Sequence, residues 1–172
     1  LSFIIPTFLR SEKLKEKIKE SIYLKDKNVE FVFVIEREDI NSFELLNENK
    51  EKNLKIVFNN GPHYHSFHRG AEFSSGKYLC FMGDDDFLLK NNFLKILEKI
   101  KNSDAEWLIG GGMYINNKRQ FIRKNITNIK FWLLKKFNKV TLTFINFIMT
   151  PSVIIKRDVF FECGGFDKRF KY

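Results

Sequence analysis

Cysteine is nearly absent: Cys80 and Cys163 are the two in 172 residues. They are too few for a disulfide scaffold and too far apart for a metal-ligand pair, which suits a reducing compartment. Both stand beside apolar neighbours, the usual setting of structural thiols. Proline and glycine are sparse as well, 3 and 9, which excludes a collagen-like repeat or a flexible linker composition. No internal repeat or low-complexity tract occurs. Long apolar runs are also missing. The longest stretch without charge, Val140 to Ile155, is interrupted by Thr, Asn and Pro151 and falls short of the roughly 20 apolar residues a spanning helix needs. No apolar leader opens the chain. It starts at Leu1 inside a strand-like run and stops at Tyr172 without a closing element, so a piece of a longer chain is expected.

What is present is core-forming material. The chain is 44% hydrophobic and 30% charged, with 20 Phe against 2 Trp and 5 Tyr, which excludes disorder and fits one globular domain. Thirty Lys and Arg against 21 Asp and Glu give +9, with an isoelectric point near 9.5. That excess favours anionic partners: phosphates, nucleic acid or an anionic membrane surface. The lysines between Leu14 and Lys25 read as a solvated helix face.

The first half alternates two periodicities. Leu1 to Ile5 is apolar and ends at Pro6-Thr7, a strand and a turn. Ser11 reads as a cap for a helix whose apolar stripe is Leu14, Ile18 and Ile22. Phe31 to Ile35 is a continuous apolar run suited to a strand covered on both faces. Ile40 to Leu46 predicts a short helix, Leu54 to Phe58 a strand, Asn59 to Pro62 a loop. Ser66 to Ser75 predicts a helix, Tyr78 to Met82 a fourth buried strand, and Phe93, Leu94, Leu97 and Ile100 another helix. This rhythm predicts an α/β sandwich with a mostly parallel sheet, whose ligands bind beyond the carboxyl ends of the strands. The polar clusters fall at those ends: Pro6-Thr7, Glu36, Asn59-Asn60 and Asp84-Asp85-Asp86.

The rhythm breaks after Asn102. Trp107 to Gly112 reads as a strand, Met113 to Ile122 as a hairpin around Asn116-Asn117, and Ile129 to Phe137 as a basic aromatic helix. Pro151 to Ile155 reads as a late strand and Asp158 to Glu162 as a short helix, capped by Asp158 and ended by Gly164-Gly165. In the helix, Lys130 to Phe137 reads either as core packing or as a contact with a membrane surface or lipid-linked acceptor. Gly110-Gly111-Gly112 lacks the Lys-Ser or Lys-Thr of a phosphate loop, and reads as a strand bend or a close approach to a ligand. Asp167 is either structural or faces an acceptor.

Three carboxylates in a row after a buried strand repel one another unless a cation neutralises them. Oxygen-only ligands point to Mg²⁺ or Mn²⁺ rather than zinc, and such an ion would hold a diphosphate. The plainer alternative is an acidic turn at the start of the following helix. His63, His65 and His68 with Arg69 form a basic cluster suited to a phosphate or base contact. Their spacing does not align them on one helical face.

These residues resemble family 2 glycosyltransferases in ordered blocks: Phe3 to Phe8, Asn60-Gly61, Gly70 to Glu72, Gly76 to Leu79, Phe81 to Asp86, then Thr150 to Ile155 and Gly164 to Asp167. The resemblance implies a GT-A type three-layer α/β/α sandwich with a mostly parallel, mixed central sheet. Residues 1–102 would be its nucleotide-sugar-binding half and 103–172 an acceptor-side half, incomplete at the C-terminus. It further implies transfer of a sugar from a nucleotide-diphosphate donor to a glycan or lipid-linked acceptor, metal-assisted and with inversion. A cytoplasmic place is expected, and the charge excess with the Lys130 to Phe137 helix adds the expectation of peripheral contact with an anionic membrane surface. By matching position Pro6, Thr7, Phe8 and Glu36 would border base and ribose, and His65 and His68 would join the donor site. Asp84 would stand nearer the ribose, and Asp85, Asp84 and Asp86 would be the metal candidates.

The second strand departs from the family in ending Ile35-Glu36-Arg37-Glu38-Asp39, and Gly83 replaces the first Asp of the DxD in one register, leaving Asp84-x-Asp86 as the alternative pair. The family's catalytic base would fall beyond Tyr172. Two alternatives stay open: a non-catalytic nucleotide-sugar binder, or a nucleic-acid protein of polymerase type, since Gly83-Asp84-Asp85 also resembles a metal-binding polymerase turn. The helix pattern after the triplet speaks against the latter, and no nucleic-acid partner is expected.

Overall fold

The computed structural model describes residues 1–116, 120–122, 124–135, 143, 146–167 and 169. In chain order the strands are β1 (Ser2–Thr7), β2 (Glu30–Glu36), β3 (Leu54–Asn59), β4 (Tyr78–Phe81), β5 (Trp107–Ile109), β6 (Tyr114–Ile115), β7 (Phe121–Ile122) and β8 (Val153–Lys156). The helices are α1 (Ser11–Tyr23), α2 (Ile40–Glu48), α3 (Ser66–Phe73), α4 (Lys90–Lys101), α5 (Lys124–Lys135) and α6 (Arg157–Glu162). Six strands form one sheet in the order β3-β2-β1-β4-β8-β5, and β6 and β7 form a separate antiparallel pair. β1 to β4 run parallel, whereas β8 is antiparallel to both β4 and β5. The carboxyl ends of four parallel strands therefore meet on one edge, with β1 and β4 adjacent.

Strand alternation builds two apolar layers. Phe3, Ile5, Phe31, Phe33, Ile35, Tyr78 and Cys80 pack with Leu14 and Ile18 of α1, Leu46 of α2, and Phe93 and Leu97 of α4. The intervening Ile4, Val32, Val34, Leu79 and Phe81 pack with Ala71 of α3 and Phe160 of α6. The result is the expected α/β/α sandwich, with aromatic side chains in both layers: Phe3, Phe31, Phe33 and Phe93 on the face that carries three helices, and Phe67, Phe81, Phe160 and Phe166 on the other. On the other face α3 closes in through Gly70, where a Cβ would collide with Ile4 Cγ2 and lie 2.7 Å from Val34 Cγ2.

Several local expectations need correction. Arg10, not Ser11, occupies the α1 cap position, and no side chain caps that helix. The buried stripe of α1 is Leu14, Lys17, Ile18, Glu20 and Ser21, while Ile22 is exposed. Lys17 is thus no part of a solvated face; its side chain is fully buried and paired with Glu20 at 2.7 Å. Asp158 lies in the first turn of α6 but makes no capping bond; Lys156 holds the cap position. β5 stops at Ile109, before the three glycines, and Gly110 N–H continues toward β8 by donating to the Ser152 carbonyl. Cys80 is buried as expected, but Cys163 is exposed. The basic aromatic helix starts earlier than expected, at Lys124; Asn117 of the hairpin turn and Lys136 and Phe137 of that helix lie outside the described residues.

Candidate functional site

The edge where β1, β2, β3 and β4 end gathers most of the polar residues singled out from the sequence. Thr7, the last residue of β1, donates its hydroxyl to Asp84 Oδ2 at 2.8 Å, and both residues are 3% exposed. The chain then turns through Leu9, whose φ of 53° is unusual for a side chain of that size. Asp39, 1% exposed, secures the turn by accepting the Leu9 N–H at 2.7 Å, and its other oxygen accepts the Ser42 N–H at the start of α2. The turn brings Arg10 back over the acidic loop. Its Nη1 donates to Asp84 Oδ1 at 3.1 Å and lies 3.7 Å from Asp85 Oδ2, with more than half of the Arg10 side chain in solvent.

Both oxygens of Asp84 are therefore engaged from the β1 side, which leaves the exposed Asp85 and the half-buried Asp86 as the remaining pair. Asp86 Oδ2 accepts the Gly83 N–H at 2.8 Å. A Cβ at Gly83 would stand 2.9 Å from Asp85 Oδ1 and 3.2 Å from Asp86 Oδ2, so the two carboxylates converge over a place that only glycine leaves open. Burial, and the charges of Asp85 and Asp84 beside it, push the Asp86 carboxyl above its ordinary range; the Gly83 N–H and Lys17 offset part of that. Among the described residues no three His, Cys, Asp or Glu side chains gather as a complete metal site. A pair of hard oxygen ligands suits a cation that takes one or two carboxylates and completes its shell with substrate phosphate and water, as Mg²⁺ does.

The loop is clamped from beneath. Lys17 Nζ reaches Glu20 at 2.7 Å, Met82 Sδ at 3.7 Å, and the Phe87 ring with 5.3 Å to its centroid. Glu20 Oε1 accepts the Leu88 N–H at 3.1 Å. A buried ion pair on α1 thus touches the chain on both sides of the carboxylate triplet.

At the ends of β2 and β3, Glu36 Oε1 accepts from Asn59 Nδ2 at 2.8 Å and lies 3.3 Å from His63 Nδ1. Asn59 also donates to the Gly61 carbonyl, which fixes the loop that follows β3. An open depression of about 410 Å³ is lined by Glu36, Arg37, Glu38, Asn59, Asn60 and Gly61. Pro6 lies within β1, half-buried, and the exposed Phe8 ring stands 6.1 Å from the His63 ring.

The three histidines do not share one environment. His65 packs edge-on to Tyr64, with centroids 4.5 Å apart. His68 stands 3.6 Å from Glu72 and 6.0 Å, ring to ring, from Phe160 and Phe161 of α6. A Cβ at Gly165 would meet the His68 ring at 2.6 Å, and His68 lines a second depression of about 420 Å³ with Cys163 to Asp167 and Arg169. Asp167 is paired there with Arg169 at 2.6 Å.

Two residues of the site were missed from the sequence. Asp39 carries a readable signal, an acid directly before a helix. Arg10 carries none, because its partners are 74 residues away or more.

The model of the family described as Glycosyl transferase family 2 matches residues 2–164. Similar solved structures include S. aureus TarS 1-349, at 18% identity and a TM-score of 0.68, over 99% of this chain and 51% of that one. The same TarS fragment in complex with UDP-GlcNAc matches at 18% identity and a TM-score of 0.65, over 95% and 47%. Mannosyltransferase PcManGT from Pyrobaculum calidifontis, in complex with GDP-Man and Mn²⁺, matches at 14% identity and a TM-score of 0.61, over 96% and 47%. The chain spans about half the length of these structures, and at such identities the likeness is one of fold. No curated protein matches the chain.

Proposed function

The chain belongs to glycosyltransferase family 2, and from that premise we propose that it binds a nucleotide-diphosphate sugar at the carboxyl edge of its sheet and serves sugar transfer to a hydroxyl of a glycan or lipid-linked acceptor. The observation that carries this reading is the acidic loop, with Asp84 held by Thr7 of β1 and by Arg10 while Asp85 and Asp86 converge over Gly83. Residues 1–102 hold the donor in this reading, and 103–172 face the acceptor.

Pro6, Thr7, Phe8 and Glu36 would border base and ribose, beside the depression at the ends of β2 and β3. Glu36 is held by Asn59 and faces His63, which gives the base a fixed carboxylate edge to recognise. His65 lies on the same loop; His68 would act from α3, where it also meets the Gly164-Gly165 turn. Asp85 and Asp86 would hold Mn²⁺ or Mg²⁺, whose chemistry there is to neutralise charge on the departing diphosphate. Arg10, already over Asp84 and Asp85, is placed to add a donor to the same phosphates. The buried Lys17–Glu20 pair keeps the loop in register without touching substrate. The acceptor hydroxyl would attack from the face opposite the diphosphate, inverting the anomeric carbon, with its proton passing to a general base.

Asp85→Asn tests the reading. Nucleoside diphosphate binding that depends on Mn²⁺ in the parent should lose that dependence in the variant. Equal Mn²⁺-dependent affinity in both would overturn the assignment of Asp85.

A further inference from the structure

Positive charge is not spread along this chain. Between Trp107 and Arg157 the sequence holds no Asp or Glu, yet ten Lys and Arg fall there; outside it 20 basic residues meet 21 acidic ones. The whole net charge of the protein therefore resides in 51 consecutive residues. Apolar exposure is concentrated in the same place. Seven of the fifteen large hydrophobic residues exposed among the described residues lie from Trp107 to Trp132.

Both features meet in α5, whose sequence carries Lys124, Lys130 and Lys135. In α5, Ile126, Ile129 and Trp132 are 45%, 58% and 55% exposed, at intervals of three that set consecutive members side by side along the helix. Thr127 and Leu133 are buried and help to seat the helix. Lys130 donates to the Tyr114 hydroxyl at 3.0 Å and lies over its ring, tying α5 to the β6–β7 pair, where Phe121 and Ile122 are also exposed.

We propose that the β6–β7 pair and α5 form a docking surface for an anionic lipid bilayer. A soluble polyanion would satisfy the lysines and arginines but leave Phe121, Ile126, Ile129 and Trp132 in water. A bilayer interface takes both, the side chains entering the headgroup boundary while basic residues meet lipid phosphates, with no carboxylate in the segment to repel them. α5, with 12 residues, is roughly 18 Å long, and no described helix is long and apolar enough to cross a membrane. Contact at the surface, not insertion across it, is the mode this helix fits. The inference stands on charge and exposure and is independent of the donor-site reading.

Sedimentation with vesicles tests it. The protein should pellet with vesicles containing phosphatidylglycerol but not with pure phosphatidylcholine, and high salt should weaken that binding. Ile129→Ser with Trp132→Ser should lower the partition about tenfold or more while leaving nucleotide binding intact; Ile126→Ser is the second variant should that pair unfold. Lys135→Gln with Lys136→Gln should also weaken binding. Asp85→Asn should bind vesicles like the parent, which separates failure here from failure at the donor site. Absence of vesicle binding would overturn the proposal, as would binding indifferent to the serine variants. So would equally strong, equally sensitive binding to heparin, or a dimer that the serine variants abolish, since either names a different occupant.

Discussion

Replacing Thr7 by valine keeps the volume of a buried side chain and removes one hydroxyl. That hydroxyl donates to Asp84 Oδ2 at 2.8 Å, where both residues are almost wholly buried. The variant therefore leaves one carboxylate oxygen without its donor, away from water, while Arg10 still holds the other. Hydrogen bonds to charged groups contribute about 1.5–3 kcal/mol, and an orphaned buried acceptor loses at least as much. For a domain of this size each kcal/mol moves the melting temperature by roughly 2–4 °C, so a loss near ~2 kcal/mol predicts a fall of about 4–8 °C. Thr7→Ser keeps the hydroxyl and deletes one methyl, a loss of about 0.8 kcal/mol, and should fall by no more than about 3 °C. In an Asp84→Asn background the valine substitution should weigh less, because the charge it strands is gone. Thermal melts by circular dichroism over the parent, Thr7→Val, Thr7→Ser, Asp84→Asn and the Asp84→Asn double variant read all three expectations. Equal melting temperatures for Thr7→Val and the parent would refute the coupling, and so would a serine variant that loses as much as the valine one.

Three further outcomes follow from the same geometry. The Asp86 carboxyl is raised by burial and by Asp85 and Asp84, so the folded state holds this proton more tightly than the unfolded chain does. That stabilisation is complete below the unfolded value of about 3.9 and is lost as pH rises through the raised folded value. Asp86→Asn should therefore gain on the parent in melting temperature as pH climbs through that window, and Mn²⁺ should restore the parent; parallel pH curves would contradict this. Cys80 is buried with its thiol pushed up to about 12, whereas Cys163 is exposed, so a thiol reagent should modify one cysteine in the native protein and both after denaturation. Arg10→Gln removes an exposed cation from above Asp84 and Asp85. It should strengthen Mn²⁺ binding in the absence of nucleotide by about two- to five-fold, the scale of an exposed ion pair, and weaken nucleoside diphosphate binding, which calorimetry reads separately.

The parts of this fold that were legible are those where local pattern and tertiary need agree. Phe31 to Ile35 reads as a strand covered on both faces and is one, because alternate residues feed two different apolar layers. The acidic triplet was legible because three adjacent carboxylates after a buried strand repel one another in any fold, so the need for a neighbouring cation is local. The buried Lys17 was not, although it stands three residues after Leu14 on the same helical stripe; its burial depends on Glu20, Met82 and Phe87, which only the assembled fold brings to it. The place of β8 between β4 and β5 is likewise a long-range choice, invisible in a four-residue strand with three apolar residues. Arg10 belongs to the same class, since a surface-looking arginine becomes part of the site only when β1 and β4 lie side by side.

The most direct test of the central claim is calorimetric titration of the protein with a panel of nucleoside diphosphates, with and without Mn²⁺. Saturable binding that needs Mn²⁺ and favours one base is the predicted result, because the cation would sit on Asp85 and Asp86 while the base meets the edge around Glu36. A folded protein that binds none of the panel, or binds all of them alike without Mn²⁺, would contradict the donor site described for the carboxyl edge of the sheet.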